Sequence, residues 1–279
     1  MKQVVLVPGF WHGTWCWNLT TIGLAGRGIP SVAVDLQGQG LDGVPPESYW
    51  RRPFEEDAFA SESSPVASIT ATTAARDLIS KLGSIGGGEL CVVVAHSMGG
   101  AVATLAAELE PSLFSHIVYV AALAPVDGVP AGAYMASPNS TGEQGTALLR
   151  ADPRTVGASR MDTGDRGGHE AIRAALYGDV PVPIADAAIT LLNVDAPVGT
   201  ALEPVSATRE NFGSVPRTYV VCERDRMIPP RMQEEYVEAM DRISATTTNV
   251  VRIDSSHSPF LSQPDVLAEV IAEAWKGAR

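Results

Sequence analysis

A serine, an aspartate and a histidine each stand just beyond an apolar, strand-like run. Ser97 follows CVVVA, Asp225 follows RTYVVC, and His257 follows NVVRI. A serine hydroxyl is a weak nucleophile at neutral pH, and a histidine oriented by a carboxylate can activate it. These residue types, in this chain order, indicate acyl-transfer chemistry on a strand–helix scaffold.

The sharpest local signal surrounds Ser97, in the sequence AHSMG from Ala95 to Gly99. An apolar strand enters a turn of small residues and leaves directly into a helical pattern. This arrangement predicts a nucleophile elbow, whose strained turn exposes the central side chain. Small residues two positions either side allow the strand and helix backbones to approach closely. The pattern is A-x-S-x-G, and the amino terminus of the helix favours negative charge near Ser97.

His257 is the expected general base among the histidines. It follows the last strand and precedes the last helix, so it should lie at the carboxyl edge of the sheet with Ser97. His96 adjoins Ser97, but neighbours in an elbow point in different directions. His116 begins a strand and belongs at the opposite edge, and His169 falls in a later insertion, where a solvated side chain is expected.

The base needs a carboxylate to fix its tautomer and stabilise the imidazolium. Asp225, in CERDRMIPP, follows a strand at the same edge of the sheet and is the predicted acid. Asp127 is an alternative, because it follows the neighbouring strand. Glu223 and Asp254 are closer to ordinary loop charges.

An oxyanion hole should use the N–H of the residue after the nucleophile and an N–H from the loop after the first strand. The first is that of Met98. The second lies in PGFWHGTW and is assigned to Phe10. The tryptophans of this loop are packing residues in the favoured interpretation. Four residues are nevertheless candidates for the wall of the substrate pocket: Trp11, Leu123, Tyr134 and Phe260.

Short β-branched runs alternate with helical patterns along the chain. The strands are nearly continuously apolar, which is typical of parallel strands covered on both faces. The alternation predicts a doubly wound, mostly parallel α/β sheet. Strands are predicted at residues 4–8, 31–34, 91–95, 116–121, 217–222 and 249–253, and helices at 15–26, 70–82, 99–108, 231–242 and 264–275.

Two segments interrupt the alternation. Residues 38–65, rich in Gly, Pro, Ser and acidic side chains, form a long loop that is expected to be functional or locally packed. Residues 125–210 predict a small, mostly helical cap on the sheet, because the chain afterwards returns to strand and helix. The core is then residues 1–124 and 211–279. A separate, loosely folded domain at 125–210 is the alternative.

Composition bounds the class of protein. The 279 residues carry a formal net charge of −12, and 45% of them are hydrophobic against 19% charged. This balance is typical of a globular chain, and the acidity disfavours nucleic-acid and anionic-membrane partners. No apolar run approaches the roughly 18 residues needed to span a membrane. The three cysteines lack metal spacing, and Cys91 and Cys222 lie in apolar runs, so we expect buried thiols in a reducing, cytoplasmic compartment and no metal. We also expect no cofactor, and a homodimer is left open.

The motifs resemble the α/β-hydrolase superfamily, and more closely its plant-type family of methylesterases and hydroxynitrile lyases, which includes salicylate esterases. The resemblance is carried by VLVPGFWHGTWCW, DLQGQGLD, VVVAHSMGG, FGSVPRTYVVCERDRMIP and SSHSPFLSQPDVLAEVI. It implies an α/β-hydrolase fold and triad roles for Ser97, Asp225 and His257. It also implies that the N–H groups of Phe10 and Met98 form the oxyanion hole.

Two departures narrow the chemistry that the resemblance implies. The lyases carry a lysine directly after the catalytic histidine, where this chain has Ser258, which disfavours cyanohydrin cleavage. Ser97 stands where dehalogenases and epoxide hydrolases have an aspartate nucleophile. We therefore expect hydrolysis of a small apolar carboxylic ester through an acyl-enzyme. The alternatives are a lyase, carbon–carbon hydrolase or cyclase on the same scaffold, or a small-molecule-binding protein.

Overall fold

Apolar runs along the chain form the strands of the computed structural model, which describes residues 2–278. The strands are β1 (Val4–Val7), β2 (Ser31–Ala33), β3 (Cys91–His96), β4 (Phe114–Val120), β5 (Asp127–Pro130), β6 (Ala158–Arg160), β7 (Asp195–Pro197), β8 (Pro204–Ser206), β9 (Arg217–Cys222) and β10 (Asn249–Ile253). Six of these strands make one parallel sheet in the order β10-β9-β4-β3-β1-β2, so β2 and β10 are its edges.

Helices cover both faces of the sheet, because successive strand residues point to opposite sides. On β1, Val4 and Leu6 pack with the helices Asn18–Ala25 and Pro264–Gly277, whereas Val5 and Val7 pack with the helices Ala71–Gly86 and Gly99–Leu109. The helices are α1 (Asn18–Ala25), α2 (Glu47–Trp50), α3 (Glu56–Ser61), α4 (Ala71–Gly86), α5 (Gly99–Leu109), α6 (Pro153–Val156), α7 (His169–Leu176), α8 (Val182–Thr190), α9 (Gly199–Leu202), α10 (Pro230–Arg242), α11 (Pro259–Ser262) and α12 (Pro264–Gly277). The predicted doubly wound, mostly parallel α/β fold is confirmed.

The insertion, residues 125–210, combines short helices with two antiparallel ladders. The ladder of β5 with β8 lies where the insertion leaves and rejoins the core, and that of β6 with β7 lies within it. The sequence pattern predicts a mostly helical insertion but neither of these ladders. The proposed boundaries of core and insertion stay a prediction, and their ends at residues 1 and 279 lie outside the described residues.

A buried ion pair joins the 38–65 loop to the insertion. Arg160 on β6 binds Asp195 on β7 through two hydrogen bonds of 2.7 Å, and both side chains are almost fully buried. The same guanidinium donates to the backbone oxygens of Phe59 and Glu62 in the loop. The loop therefore packs on the insertion. It is not irregular throughout, because it contains the short helices α2 and α3.

Within residues 2–278, no helix combines the length and the apolar character needed to cross a membrane.

Candidate active site

Ser97 lies in a tight turn between β3 and α5. Its φ is +52°, in the left-handed region that non-glycine residues rarely adopt. Its N–H donates to Val120 O at 3.2 Å, and its carbonyl accepts from Leu123 N at 3.0 Å. A Cβ on Gly99 would stand 2.5 Å from Pro8 O, so the residue two places after Ser97 has no room for a side chain. The predicted elbow geometry is present.

The loop after β1 passes directly beside Ser97. A Cβ on Gly9 would lie 2.5 Å from the Cβ of Ser97, a separation that real Cβ atoms do not reach. Gly9 therefore lets the loop approach the candidate nucleophile. The next residue, Phe10, is brought to the same cavity as Ser97 and Met98.

His257 and Asp225 form a buried pair. His257 Nδ1 lies 2.8 Å from Asp225 Oδ2, and both side chains are almost completely buried. The other carboxylate oxygen accepts the N–H groups of Met227 at 2.7 Å and Ile228 at 3.0 Å. Because Nδ1 faces a carboxylate, it carries the proton in the neutral ring, which leaves Nε2 as the basic nitrogen.

Asp127, the alternative acid, lies elsewhere. Both of its carboxylate oxygens accept from the hydroxyl of Tyr134 at 3.0 Å, and the residue is exposed at the start of β5. Of the four carboxylates considered from the sequence, Asp225 is the one that the structure brings to His257.

His96, His116 and His169 each have a hydrogen-bond partner of their own, and His169 is not exposed, although the sequence predicts that it is. His96 Nε2 contacts the carbonyl oxygen of His257 at 2.9 Å, and burial lowers the pKa of His96 well below its usual value. His116 Nε2 lies 3.0 Å from Thr218 Oγ1. The expectation of a solvated His169 is wrong, because this side chain is buried and bonds to Thr163 O at 3.0 Å.

The two candidate oxyanion donors have free N–H groups. Within residues 2–278, no protein acceptor receives a hydrogen bond from the backbone N–H of Phe10 or Met98. Met98 is also the N-cap residue of α5, where the helix dipole favours negative charge. Both residues line the cavity that Ser97 reaches. Their N–H groups are thus available to a carbonyl oxygen that acquires charge.

The cavity beside Ser97 has a volume of about 430 Å³ and a mostly apolar wall. Of the predicted wall residues, it includes Trp11 and Leu123. Much of the rest of the wall is not predicted from the sequence and comes mostly from the insertion: Pro130, Met135, Leu149, Val198, Ala201, Leu202, Met227 and Ile228. Met227 and Ile228 could have been found from the sequence, since they directly follow Asp225. Charged side chains come from Glu143, Asp152 and Arg154.

The prediction that Tyr134 and Phe260 line the substrate pocket is wrong, because neither residue lines this cavity. Tyr134 instead packs against Tyr236, with ring centroids 4.5 Å apart, while its hydroxyl is held by Asp127. Phe260 is fully buried beneath the site, with its ring against those of Trp17 and His96. A position just beyond a strand was too weak a criterion to separate core residues from cavity residues.

In the part of the chain that the structure describes, no group of three or more His, Cys, Asp or Glu side chains is arranged to hold a metal ion.

Comparison with known proteins agrees with the α/β fold described above. A family model described as "Alpha/beta hydrolase family" matches residues 4–270. Methyl jasmonate esterase 1 of Vitis vinifera is 27% identical, with 98% of this chain and 96% of the relative covered. Norfluorocurarine synthase 2 of a Strychnos species is 26% identical, with 98% and 94% covered. The crystal structure of an Arabidopsis methylesterase superposes with a TM-score of 0.71 at 23% identity, covering 99% of each chain.

Proposed function

Since the chain belongs to the α/β-hydrolase family, we propose that it is a serine esterase acting on a small apolar carboxylic ester. The observation that carries the proposal is the buried His257–Asp225 pair, 2.8 Å apart, together with a nucleophile elbow at Ser97 that opens on an apolar cavity. Similarity to a methyl jasmonate esterase supports the same reaction class.

In the proposed reaction, Ser97 Oγ attacks the ester carbonyl carbon while His257 Nε2 takes the hydroxyl proton. The carbonyl oxygen becomes negative and accepts from the N–H groups of Phe10 and Met98. Collapse of this intermediate breaks the bond to the alcohol, which leaves with the proton from His257. Water then attacks the acyl-enzyme, gives its proton to His257, and releases the acid as Ser97 recovers its proton. No metal or other cofactor takes part.

The wall of the cavity supports an uncharged, apolar substrate. Burying an apolar group against such a wall contributes about 25 cal/mol for each Å² removed from water. A carboxylate there would lose hydration, and two of the three charged side chains lining the cavity, Glu143 and Asp152, are themselves acidic. Residues 125–210 cap the cavity in this reaction and shield it from bulk solvent, while admitting the one water that hydrolyses the acyl-enzyme.

Hydrolysis of a short chromogenic ester tests the proposal. Ser97→Ala should reduce kcat/KM by roughly 10⁴-fold, because the covalent route is lost. Ser84→Ala, which removes an exposed hydroxyl on α4, is the matched control and should behave as wild type. Circular dichroism would establish that both variants fold. Near wild-type activity in folded Ser97→Ala would refute the nucleophile assignment.

The similarity to a relative named as a synthase supports a second candidate, in which His257 acts as a base without a covalent bond to Ser97. A lyase, a carbon–carbon hydrolase or a cyclase would fit this description. In that case Ser97→Ala would keep substantial turnover, whereas His257→Ala would lose it. Ligand binding without turnover by the wild type would instead indicate a binding protein.

A further inference from the structure

The loop from Gly9 to Gly13, here called the oxyanion loop, carries the Phe10 N–H and is tied to the insertion. The indole Nε1 of Trp11 donates to Ser159 O at 2.7 Å. The carbonyl of Trp11 accepts from the N–H of Asn193 at 2.7 Å. Trp11 has a φ of +62°, a conformation that costs energy in a bulky residue unless its surroundings enforce it. Contacts from the insertion supply part of that enforcement.

A third contact runs through His12. Its Nδ1 lies 2.9 Å from Phe10 O, and its Nε2 lies 2.8 Å from the hydroxyl oxygen of Tyr177, which follows α7 in the insertion. A carbonyl only accepts, so the ring proton must be on Nδ1. Burial lowers the pKa of His12 to about 3, which keeps the ring neutral and makes Nε2 an acceptor.

The direction of the second hydrogen bond follows from this tautomer. The hydroxyl of Tyr177 must donate to Nε2, because that nitrogen carries no proton. Burial raises the pKa of Tyr177, so the phenol keeps the proton that it donates. One ordered chain of hydrogen bonds therefore runs from Tyr177 through neutral His12 to the carbonyl of Phe10.

We propose that Tyr177 is a positioning residue for the oxyanion hole, since its hydroxyl fixes His12 and thereby the backbone of Phe10. This role rests on the proposed esterase function. The tyrosine touches no substrate in this arrangement and acts through the loop. Through this contact the insertion helps to set where the Phe10 N–H meets the developing charge.

The expected effect is on rate more than on substrate binding. Removing a whole oxyanion donor costs about 10²- to 10³-fold in kcat. Tyr177→Phe keeps the Phe10 N–H but removes the hydroxyl that holds His12 in place. The kcat should therefore fall by roughly 10-fold while KM stays within about twofold. Affinity for a trifluoromethyl ketone, which imitates the tetrahedral intermediate, should weaken by the same factor as kcat.

Tyr119→Phe is the matched control. The Tyr119 hydroxyl is also buried and bonds one side chain, Thr104 Oγ1, at 2.8 Å. Both variants should lose similar thermal stability, whereas only Tyr177→Phe should lose kcat and affinity for the ketone. Equal kinetic effects in the two variants, or a kcat for Tyr177→Phe within twofold of wild type, would overturn the proposal.

Nitrogen NMR of the imidazole of His12 separates this inference from the proposed function. The wild type should show a neutral ring protonated at Nδ1 from pH 5 to 8, and Tyr177→Phe should shift the Nε2 resonance. A ring protonated at Nε2, or one that titrates near pH 6.5, would overturn the hydrogen-bond chain itself. Absence of ester hydrolysis by a wild type with the expected spectrum would instead refute the esterase proposal.

Discussion

The candidate site has two arms, the turn that carries Ser97 and the oxyanion loop, and they are held in different ways. Ser97 is fixed by backbone hydrogen bonds to Val120 and Leu123, within the turn that joins β3 to α5. The oxyanion loop is held largely by contacts from outside the sheet, including the side chain of Tyr177 and the carbonyl of Ser159. The first arm depends on strand register, and the second depends on how the insertion packs.

This difference teaches which parts of the site tolerate change. Backbone contacts survive most side-chain substitutions, provided that no new Cβ collides with them. Contacts through buried side chains are lost with one substitution, and the partner left behind is costly to bury. The arm carrying Ser97 should therefore fail mainly by steric intrusion or by loss of the catalytic groups, and the oxyanion loop by loss of a distant contact.

The largest effect is expected at the acid on the core side. Asp225→Asn should lower kcat by roughly 10⁴-fold, because an amide no longer stabilises the imidazolium or fixes the tautomer with Nδ1 protonated. Asp127→Asn is the control, since that carboxylate is exposed and contacts Tyr134 rather than His257. Steady-state kinetics on the same ester decides between them. A severe loss in Asp127→Asn with a mild one in Asp225→Asn would reverse the assignment.

A smaller effect is expected where the two arms meet. Gly9→Ala would place a methyl 2.5 Å from the Cβ of Ser97, so one arm must shift, and kcat should drop by about 10²-fold. Gly83→Ala is the matched control, because its Cβ would meet nothing within 4 Å. In a helix that substitution should stabilise slightly. Unchanged kinetics in Gly9→Ala would contradict the close approach of the loop to the nucleophile.

The third prediction concerns stability on the insertion side. Arg160→Met leaves the Asp195 carboxylate buried without its partner, so the free energy of unfolding should fall by about 3–5 kcal/mol. Lys276→Met removes an exposed contact with Glu273 and should change it by less than about 1 kcal/mol. Urea titrations of both variants measure the difference. Similar small losses in both would mean that the ion pair does not secure the 38–65 loop to the insertion.

Much of the core could be predicted from sequence, because buried parallel strands leave continuous apolar runs. The strands 217–222 and 249–253 have the bounds predicted for them, and the turns after them carry Asp225 and His257. The small residues around Ser97 mark a close backbone approach, which the contacts of Gly99 explain. In these regions local sequence and final position are directly linked.

The insertion could not be predicted in the same detail. Strands of three or four residues such as Ala158–Arg160 are too short to display a period, and they pair only because the intervening helices return the chain. An arginine is usually exposed, so the sequence alone suggests a surface position for Arg160. Its burial is explained by the hydrogen-bond partners that the fold brings to it. The same holds for Tyr177, whose role depends on meeting His12 across 165 positions of sequence.

The two edges of the sheet bear on how copies of the chain could assemble. A strand edge with unpaired N–H and C=O groups can template the addition of another chain. Here β2 offers only three residues, and β10 carries Arg252, which contacts the carboxylates of Glu223 and Glu234. A short edge and a charged edge both oppose strand addition, so a homodimer would have to form through helices or the insertion rather than through a continuous intermolecular sheet.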